Sequence, residues 1–433
     1  MRALLIPALL TAACCLSPSA NAAIRVVTQC GDSGPGSLRA TIATALDGDT
    51  VDVRACRLID VTSGQIAIPQ DNLQILGSNG TPFITASMQS RVLRHFGTGT
   101  LRLRSLNVSD GRIAAPTVAG GCLYSSGHVD LVNVGVGGCL AVSTGGSGYG
   151  GAIYARSLSA SHSRINTSEV SASDGHGGGI ATEGPVSLSF TEVIGNRAFE
   201  GGGVFTLGGA SITYSTIRAN EAGNDGAGLQ ALGGDVAINK SLFVYNRAVR
   251  RCGALCVSGG GRTVMLNSTI TSNNARYQAA GELSSNAAVS NSTIAFNINE
   301  SVAQCPGTLQ ARHLQLESTI IAANICRAYL MTNYDIGGSV ANGYTITGSN
   351  NLVRLSRVPL PADTIASNPM LQSSLVDNGG PTLTHSLLRG SPALDRGNNK
   401  ANQQYDQRGP GFPRVLNGRA DIGAFESTCT CAD

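Results

Sequence analysis

One turn sequence returns at near-constant intervals through the middle of the chain. It reads Gly150-Gly151-Ala152-Ile153, Gly177-Gly178-Gly179-Ile180, Gly201-Gly202-Gly203-Val204, Gly226-Ala227-Gly228-Leu229, Cys252-Gly253-Ala254-Leu255 and Ala280-Gly281-Glu282-Leu283, at intervals of 27, 24, 25, 26 and 28 residues. An earlier copy, Gly120-Gly121-Cys122-Leu123, precedes the first by 30 residues. Two more landmarks keep step. A second turn falls at Glu183-Gly184, Gly208-Gly209, Gly233-Gly234 and Gly259-Gly260. An apolar column runs through Val193, Ile217, Phe243, Ile270, Ile294 and Ile320, followed in each case by an asparagine: Asn196, Asn220, Asn246, Asn273, Asn297 and Asn324. A fixed period of this length marks a stacked-repeat architecture.

The segments between turns are short and alternate in polarity, as in Val186-Ser187-Leu188-Ser189-Phe190. Alternation with period two is the pattern of a strand with one buried face. Glycine every few residues would cost a helix about 1 kcal/mol each, whereas at the corners of a coil it supplies positive φ. The chain is therefore expected to be all-β, a right-handed parallel β-helix of three short strands per coil. At a spacing of ~4.8 Å per coil, residues 60–350 give ~11–12 coils, a rod of ~55 Å. Equivalent side chains then pile into ladders, the apolar column inside and the asparagines at a corner.

The ends of such a rod need covering, because open strand edges invite aggregation. The expected division is an export signal over 1–22, an N-terminal cap over 23–59, the β-helix over 60–365 and a C-terminal capping module over 366–433. Ser37 to Ala45 reads as a short amphipathic helix in the cap, ended by Asp47-Gly48-Asp49.

Met1-Arg2, the apolar run Ala3 to Leu16 and the small-x-small site Ala20-Asn21-Ala22 carry the export reading, leaving Ala23 as the mature N-terminus. Lipoprotein processing before Cys14 is the alternative. The run is too short to span a bilayer, and no later stretch of ~18–20 apolar residues follows. The protein is expected outside the cytoplasm, secreted or at the cell surface, with the periplasm as a further option.

Charged residues make up only 13% of the chain, but 42% is hydrophobic, which excludes a disordered composition. Its 55 glycines show no every-third spacing, which excludes collagen. Net charge is +3 with no basic cluster, so neither nucleic acid nor an anionic membrane surface is expected as a partner. Beyond Cys14 and Cys15, ten cysteines remain, an even number in an oxidising compartment, and disulfides are the default. Sequence alone leaves their connectivity open. The separations suggest Cys30 with Cys56, Cys122 with Cys139, Cys252 with Cys256, Cys305 with Cys326 and Cys429 with Cys431. A Cys30–Cys56 bridge would pin the cap to the first coil. Zinc on Cys252, Cys256, Cys429 and Cys431 is the competing reading, and no histidine or cysteine partner lies near either pair in sequence.

Two regions resemble known bacterial modules. Cys30-Gly31-Asp32-Ser33-Gly34-Pro35-Gly36-Ser37-Leu38-Arg39-Ala40 with Gly48-Asp49-Thr50-Val51 resembles the start of secreted Gly-rich β-helix proteins of the CSLREAI type. Asn368-Pro369-Met370-Leu371, Asp377-Asn378-Gly379-Gly380-Pro381-Thr382, Gly390-Ser391-Pro392-Ala393-Leu394-Asp395, Asp406-Gln407-Arg408-Gly409 and Asp421-Ile422-Gly423-Ala424-Phe425-Glu426 resemble the choice-of-anchor Q domain. The resemblance implies a secreted or surface β-helix. Ala40 departs from the acidic residue or glutamine often found there.

The candidate catalytic residues are His176, Arg197, Glu192 and Asp225. Asp174-Gly175-His176-Gly177 resembles the Gly-His-Gly of polygalacturonase-like hydrolases, but their paired-aspartate motifs are missing, and an exposed turn histidine is the plainer reading. A uronate lyase needs a neutraliser for the substrate carboxylate, such as Ca2+ on an acidic cluster, and an Arg or Lys base. Glu192, Glu200 and Asp225 fall on neighbouring coils with Arg197, Arg218 and Arg247 close in sequence; a solvated rim is the plainer reading here too. Tryptophan is absent and aromatics are 4%, which argues against ring stacking on sugars. Asp406, Arg408, Arg414, Arg419 and Asp421 are expected to make ion pairs that close the helix end. The favoured reading is a non-enzymatic, monomeric β-helix without cofactor, with a structural, adhesive or binding role toward a polysaccharide or cell-surface component. The alternative is a polysaccharide lyase or glycoside hydrolase. A concave groove holding three or more converging charged side chains is the discriminating feature.

Overall fold

The computed structural model describes residues 22–79, 82–328 and 332–428. Residues 1–21 of the expected export signal lie outside them, as do Cys429 and Cys431. No helix among the described residues is long and apolar enough to cross a membrane.

The chain winds into a parallel β-helix of about 11 turns. Successive turns pair in parallel within three sheets of 21, 12 and 10 strands, here sheets A, B and C. One turn shows the plan. Ile180–Thr182 and Val186–Ser189 lie in sheet A, Glu192–Ile194 in sheet B and Arg197–Ala198 in sheet C. A turn thus holds four short strands rather than three. The repeated Glu183-Gly184 turn interrupts sheet A instead of joining two sheets.

The register bears out the apolar column. Val193 pairs with Ile217, Ile217 with Phe243, Phe243 with Ile270 and Ile270 with Ile294. All are fully buried. The next member is Ile321, not Ile320. Ile320 is one place out of phase and faces away from the interior, where alternation puts the neighbours of every column residue.

The asparagines form the expected ladder. Each Nδ2 donates to the Oδ1 of the asparagine one turn on: Asn196 to Asn220 (3.1 Å), Asn220 to Asn246 (3.0 Å), Asn246 to Asn273 (2.9 Å), Asn273 to Asn297 (3.0 Å) and Asn297 to Asn324 (2.9 Å). Asn324 closes the series on Asp335 at 2.9 Å. A second ladder, not foreseen from sequence, runs up the corner before sheet B. The backbone N–H groups of Thr191, Ser215, Ser241 and Ser268 donate to the hydroxyls of Ser215, Ser241, Ser268 and Ser292 at 3.1–3.2 Å.

Glycine dominates only one of the corners that need positive φ, although Gly138 and Gly195 also take it between sheets B and C. Gly150, Gly177, Gly201 and Gly226 hold it between sheets C and A, with Cys252 next in line. Between sheets A and B the same conformation is held by Asn133, His162, Phe190, Tyr214, Lys240 and Asn267. A left-handed residue with a Cβ costs roughly 1–2 kcal/mol, and the flanking ladder bonds hold each one in place.

The helix Leu38–Thr44 covers the N-terminal end, its first turn capped by Ser37 and its Leu38 and Ile42 buried. Cys30–Cys56, Cys122–Cys139, Cys252–Cys256 and Cys305–Cys326 are disulfides. At the other end, Leu360 packs against the interior column. The segment from Leu371 to Glu426 does not close that end. It folds back along the flank of the rod, where Leu371, Leu387, Leu394 and Ile422 pack on Ala295, Ile320 and Ala322 of sheet B.

Candidate functional groove

Every strand of sheet B presents its first and third residues outward, because the middle one is buried in the column. Read in register, the outward pairs are Asn107 and Ser109, Gly135 and Gly137, Arg164 and Asn166, Glu192 and Ile194, Thr216 and Arg218, then Leu242 and Val244. Beyond these come Thr269 and Thr271, Thr293 and Ala295, Ile320 and Ala322. This last group is buried beneath the returning C-terminal segment, and Leu242 and Val244 before it are buried too. Thr269 donates to Gln407 (2.6 Å), Thr271 meets His385 Nε2 (2.9 Å) and the Ala424 N–H donates to Thr293 (3.0 Å). The outer face of sheet B is therefore open over its early turns and roofed over its late ones.

Two concavities lie end to end on the open part. The first, about 440 Å³, is lined by Asn107, Asn133, Gly135, His162, Arg164 and Phe190 among others. Its floor exists because one strand is Gly135-Val136-Gly137. A Cβ at Gly135 would stand 2.1 Å from the Asn107 amide oxygen, and one at Gly137 2.6 Å from that of Asn166. The second, about 500 Å³, lies between sheet B and the returning segment, with Glu192, Arg218, Leu242, Val244 and Tyr245 facing Leu375, Asp377, Thr382 and Leu383.

Charged groups converge where the two meet. Glu192 lies 3.4 Å from Arg164 and 4.0 Å from Arg218, one turn to either side. Along one margin runs a stack of rings, His162 on Phe190 (4.9 Å) and Phe190 on Tyr214 (4.8 Å), with the Lys240 ammonium 5.8 Å from the Tyr214 ring centre. Lys240 donates to Gln403 of the returning segment at 3.2 Å. Burial lowers the Lys240 pKa, and Asp406 opposes that shift.

The four candidate residues do not assemble into one site. Glu192 is on the groove floor. His176 is at the corner between sheets C and A, stacked on Tyr149 (5.2 Å) and against Phe205 (4.5 Å), with Asp174 at 3.0 Å and Glu200 at 3.7 Å. It is thus a partly buried, partnered residue and not an exposed turn histidine. Asp225 sits further along that corner, held by Arg250 at 3.0 Å and Arg251 at 2.9 Å. Arg197 lies on sheet C in a column with Glu169, Glu221 and Arg247. Glu192 is thereby separated from Glu200 and Asp225 by a corner of the rod, and the three do not form one acidic cluster.

The ion pairs of the C-terminal segment are internal, as expected, though they flank the rod. Arg408 pairs with Asp406 at 2.7 Å and lies between Phe412 and Phe425, and Arg414 pairs with Glu426 at 2.9 Å. Burial raises Glu426 to about 7 against the pull of Arg414. Arg419 instead donates to the Arg396 carbonyl at 3.1 Å.

Sequence reasoning singled out Glu192 and named Arg218 beside it, but missed Arg164, Asn107 and the two glycines. The available signal was the pair of positions flanking the apolar column, read turn by turn. Some of the few aromatics are gathered into stacks, as along the His162–Phe190–Tyr214 margin.

No family model and no curated protein matches the chain, so the two motif resemblances rest on their own residues. Among solved structures the chain is similar to a pectate lyase, Pel9A, at 13% identity over 93% of this chain and 96% of that one, with a TM-score of 0.49.

Proposed function

We propose that the protein is an exported, non-catalytic binding protein that holds a linear acidic polysaccharide in the groove of sheet B. The observation that carries the reading is the Arg164–Glu192–Arg218 set on the floor of an elongated depression. A guanidinium offers a planar pair of donors to a carboxylate, the group a uronate sugar repeats along its chain. Asn107 and Asn166 add amides suited to hydroxyls, and the glycine strand leaves room above the sheet. The turn spacing of ~4.8 Å is close to the advance of one sugar ring along an extended chain, so successive sugars meet successive turns. Four disulfides suit an oxidising compartment.

A second reading, cleavage of the same polymer, draws on the discriminating feature being present, three charged side chains converging in a groove; against it, the three pair with one another, and the other candidate acids, Glu200 and Asp225, lie around a corner of the rod. One experiment separates the two. The mature protein is titrated calorimetrically with polygalacturonate and with alginate, with and without calcium, while unsaturated products and new reducing ends are followed by absorbance. Binding with no product is expected, with Arg164→Ala and Arg218→Ala each weakening it. Product formation would move the assignment to the lyase or hydrolase reading, and no binding to either polymer would remove the groove as a glycan site.

A further inference from the structure

We infer that the groove receives the end of a polysaccharide chain and not its interior. The inference rests on the glycan-binding reading of this face. From Asn107 to Thr216 the open outward face of sheet B runs through four turn-to-turn steps, about 19 Å at the strand spacing. Beyond Thr216 and Arg218 the open path stops. Leu375, Asp377 and the run Gly380 to Leu383 stand across it, and the next outward residues, Leu242 and Val244, are already buried, as are Thr269 and Thr271 beyond them.

This barrier is fastened to the sheet. Gln407, fully buried, donates from Nε2 to Thr382 Oγ1 at 3.0 Å and to the Leu383 carbonyl at 3.2 Å, and accepts from Thr269 at 2.6 Å. The Lys240–Gln403 bond ties the segment down at one margin. A polymer lying along the rod axis cannot pass this point without displacing buried polar groups, each costing about 1–3 kcal/mol when stripped of its partner.

The chemistry also changes along the groove. The open end is amide-rich and carries Arg164. The blocked end presents Leu375 and Leu383, which stand over the buried Leu242 and Val244, with Arg218 and Asp377 at its edges. A terminal sugar can lay its C–H face against Leu375 and Leu383 while its free hydroxyls reach the charged rim, and the chain runs back over Arg164 toward Asn107. A mid-chain sugar has no room for its next neighbour.

The test uses the full mature protein and equal masses of long and enzymatically shortened polygalacturonate and alginate. End recognition is expected to raise the amount of protein bound per unit mass by the factor by which the number of chain ends rises. Leu383→Asn, at a position 41% exposed on the barrier, is expected to reduce that binding several-fold with thermal unfolding unchanged. Binding that follows polymer mass regardless of chain length, or an unaffected Leu383→Asn protein, would overturn the inference and leave groove binding intact. No binding by either long or short chains would instead overturn the glycan reading beneath it.

Discussion

Asn246 offers the sharpest test of how the rod is held together. It is fully buried in the middle of the amide ladder. Its Oδ1 accepts from the Asn220 backbone N–H (3.1 Å) and from Asn220 Nδ2 (3.0 Å). Its Nδ2 donates to the Ile217 carbonyl and to Asn273 Oδ1, both at 2.9 Å. Asn246→Ala strands two buried donors on Asn220, while Asn273 Oδ1 still accepts from the residue 246 backbone N–H. At about 1–3 kcal/mol for each orphaned group, the loss comes to roughly 4 kcal/mol, nearly independent of pH. Asn246→Asp keeps the two acceptor bonds, but when ionised it sets a carboxylate against the Ile217 and Asn273 oxygens. It should be as damaging at neutral pH and recover on acidification, when a protonated carboxyl can donate one of the lost bonds. Guanidinium unfolding followed by far-UV circular dichroism gives the stabilities. Because coils of a solenoid can open locally, hydrogen exchange over residues 193–273 shows where protection is lost. A loss under about 1 kcal/mol for Asn246→Ala, or an Asp variant as stable as the parent at pH 7, would refute the ladder as a main source of cohesion.

Asp335 ends the ladder as a buried carboxyl, raised to about 6 by burial despite bonds from Asn324 and Leu355. A carboxyl raised in the folded state binds more protons there than when unfolded, so its contribution to stability falls as pH rises from about 4 to about 6, by roughly 3 kcal/mol at most. Asp335→Asn should flatten that part of the pH–stability curve, and an unchanged slope would count against it. Glu192→Gln removes the one negative charge between Arg164 and Arg218 and should tighten uronan binding about five-fold, for a gain of about 1 kcal/mol at a few ångströms in water; weaker binding by calorimetry would argue that Glu192 itself engages the ligand. Gly135→Leu should displace the flexible Asn107 side chain and fill the first concavity, abolishing polygalacturonate binding with little change in thermal unfolding. Unimpaired binding would place the ligand elsewhere.

The period, the interior column and the asparagine ladder could be read from sequence because each depends on residues one coil apart. The slip at Ile320 shows the limit of that reading. Ile320 and Ile321 are both apolar, and only the three-residue distance to the following asparagine, constant elsewhere, selects Ile321. The corners misled for another reason. Glycine was expected to supply positive φ at the corners, yet between sheets A and B Phe190 and Tyr214 adopt it, since local propensity yields where neighbouring ladders fix the backbone. The closed end of the groove was out of reach because it needs the return of the Leu371–Glu426 segment, whose landing place is set by contacts more than a hundred residues apart in sequence, such as Thr271 with His385. One trace was present. The outward positions change from Arg164, Glu192 and Arg218 to Ala295, Ile320 and Ala322, a switch from polar to apolar on a face with no interior role.

In sheet B the residues that hold the rod and the residues that face outward occupy alternate places on the same three-residue strands. The recognition surface can consequently be rewritten one storey at a time while the load-carrying column stays untouched. Duplicating a single coil upstream of Arg164 would lengthen the dock by one platform and leave its closed end in place, which gives lineages and protein engineers the same simple way to adjust how much ligand is grasped.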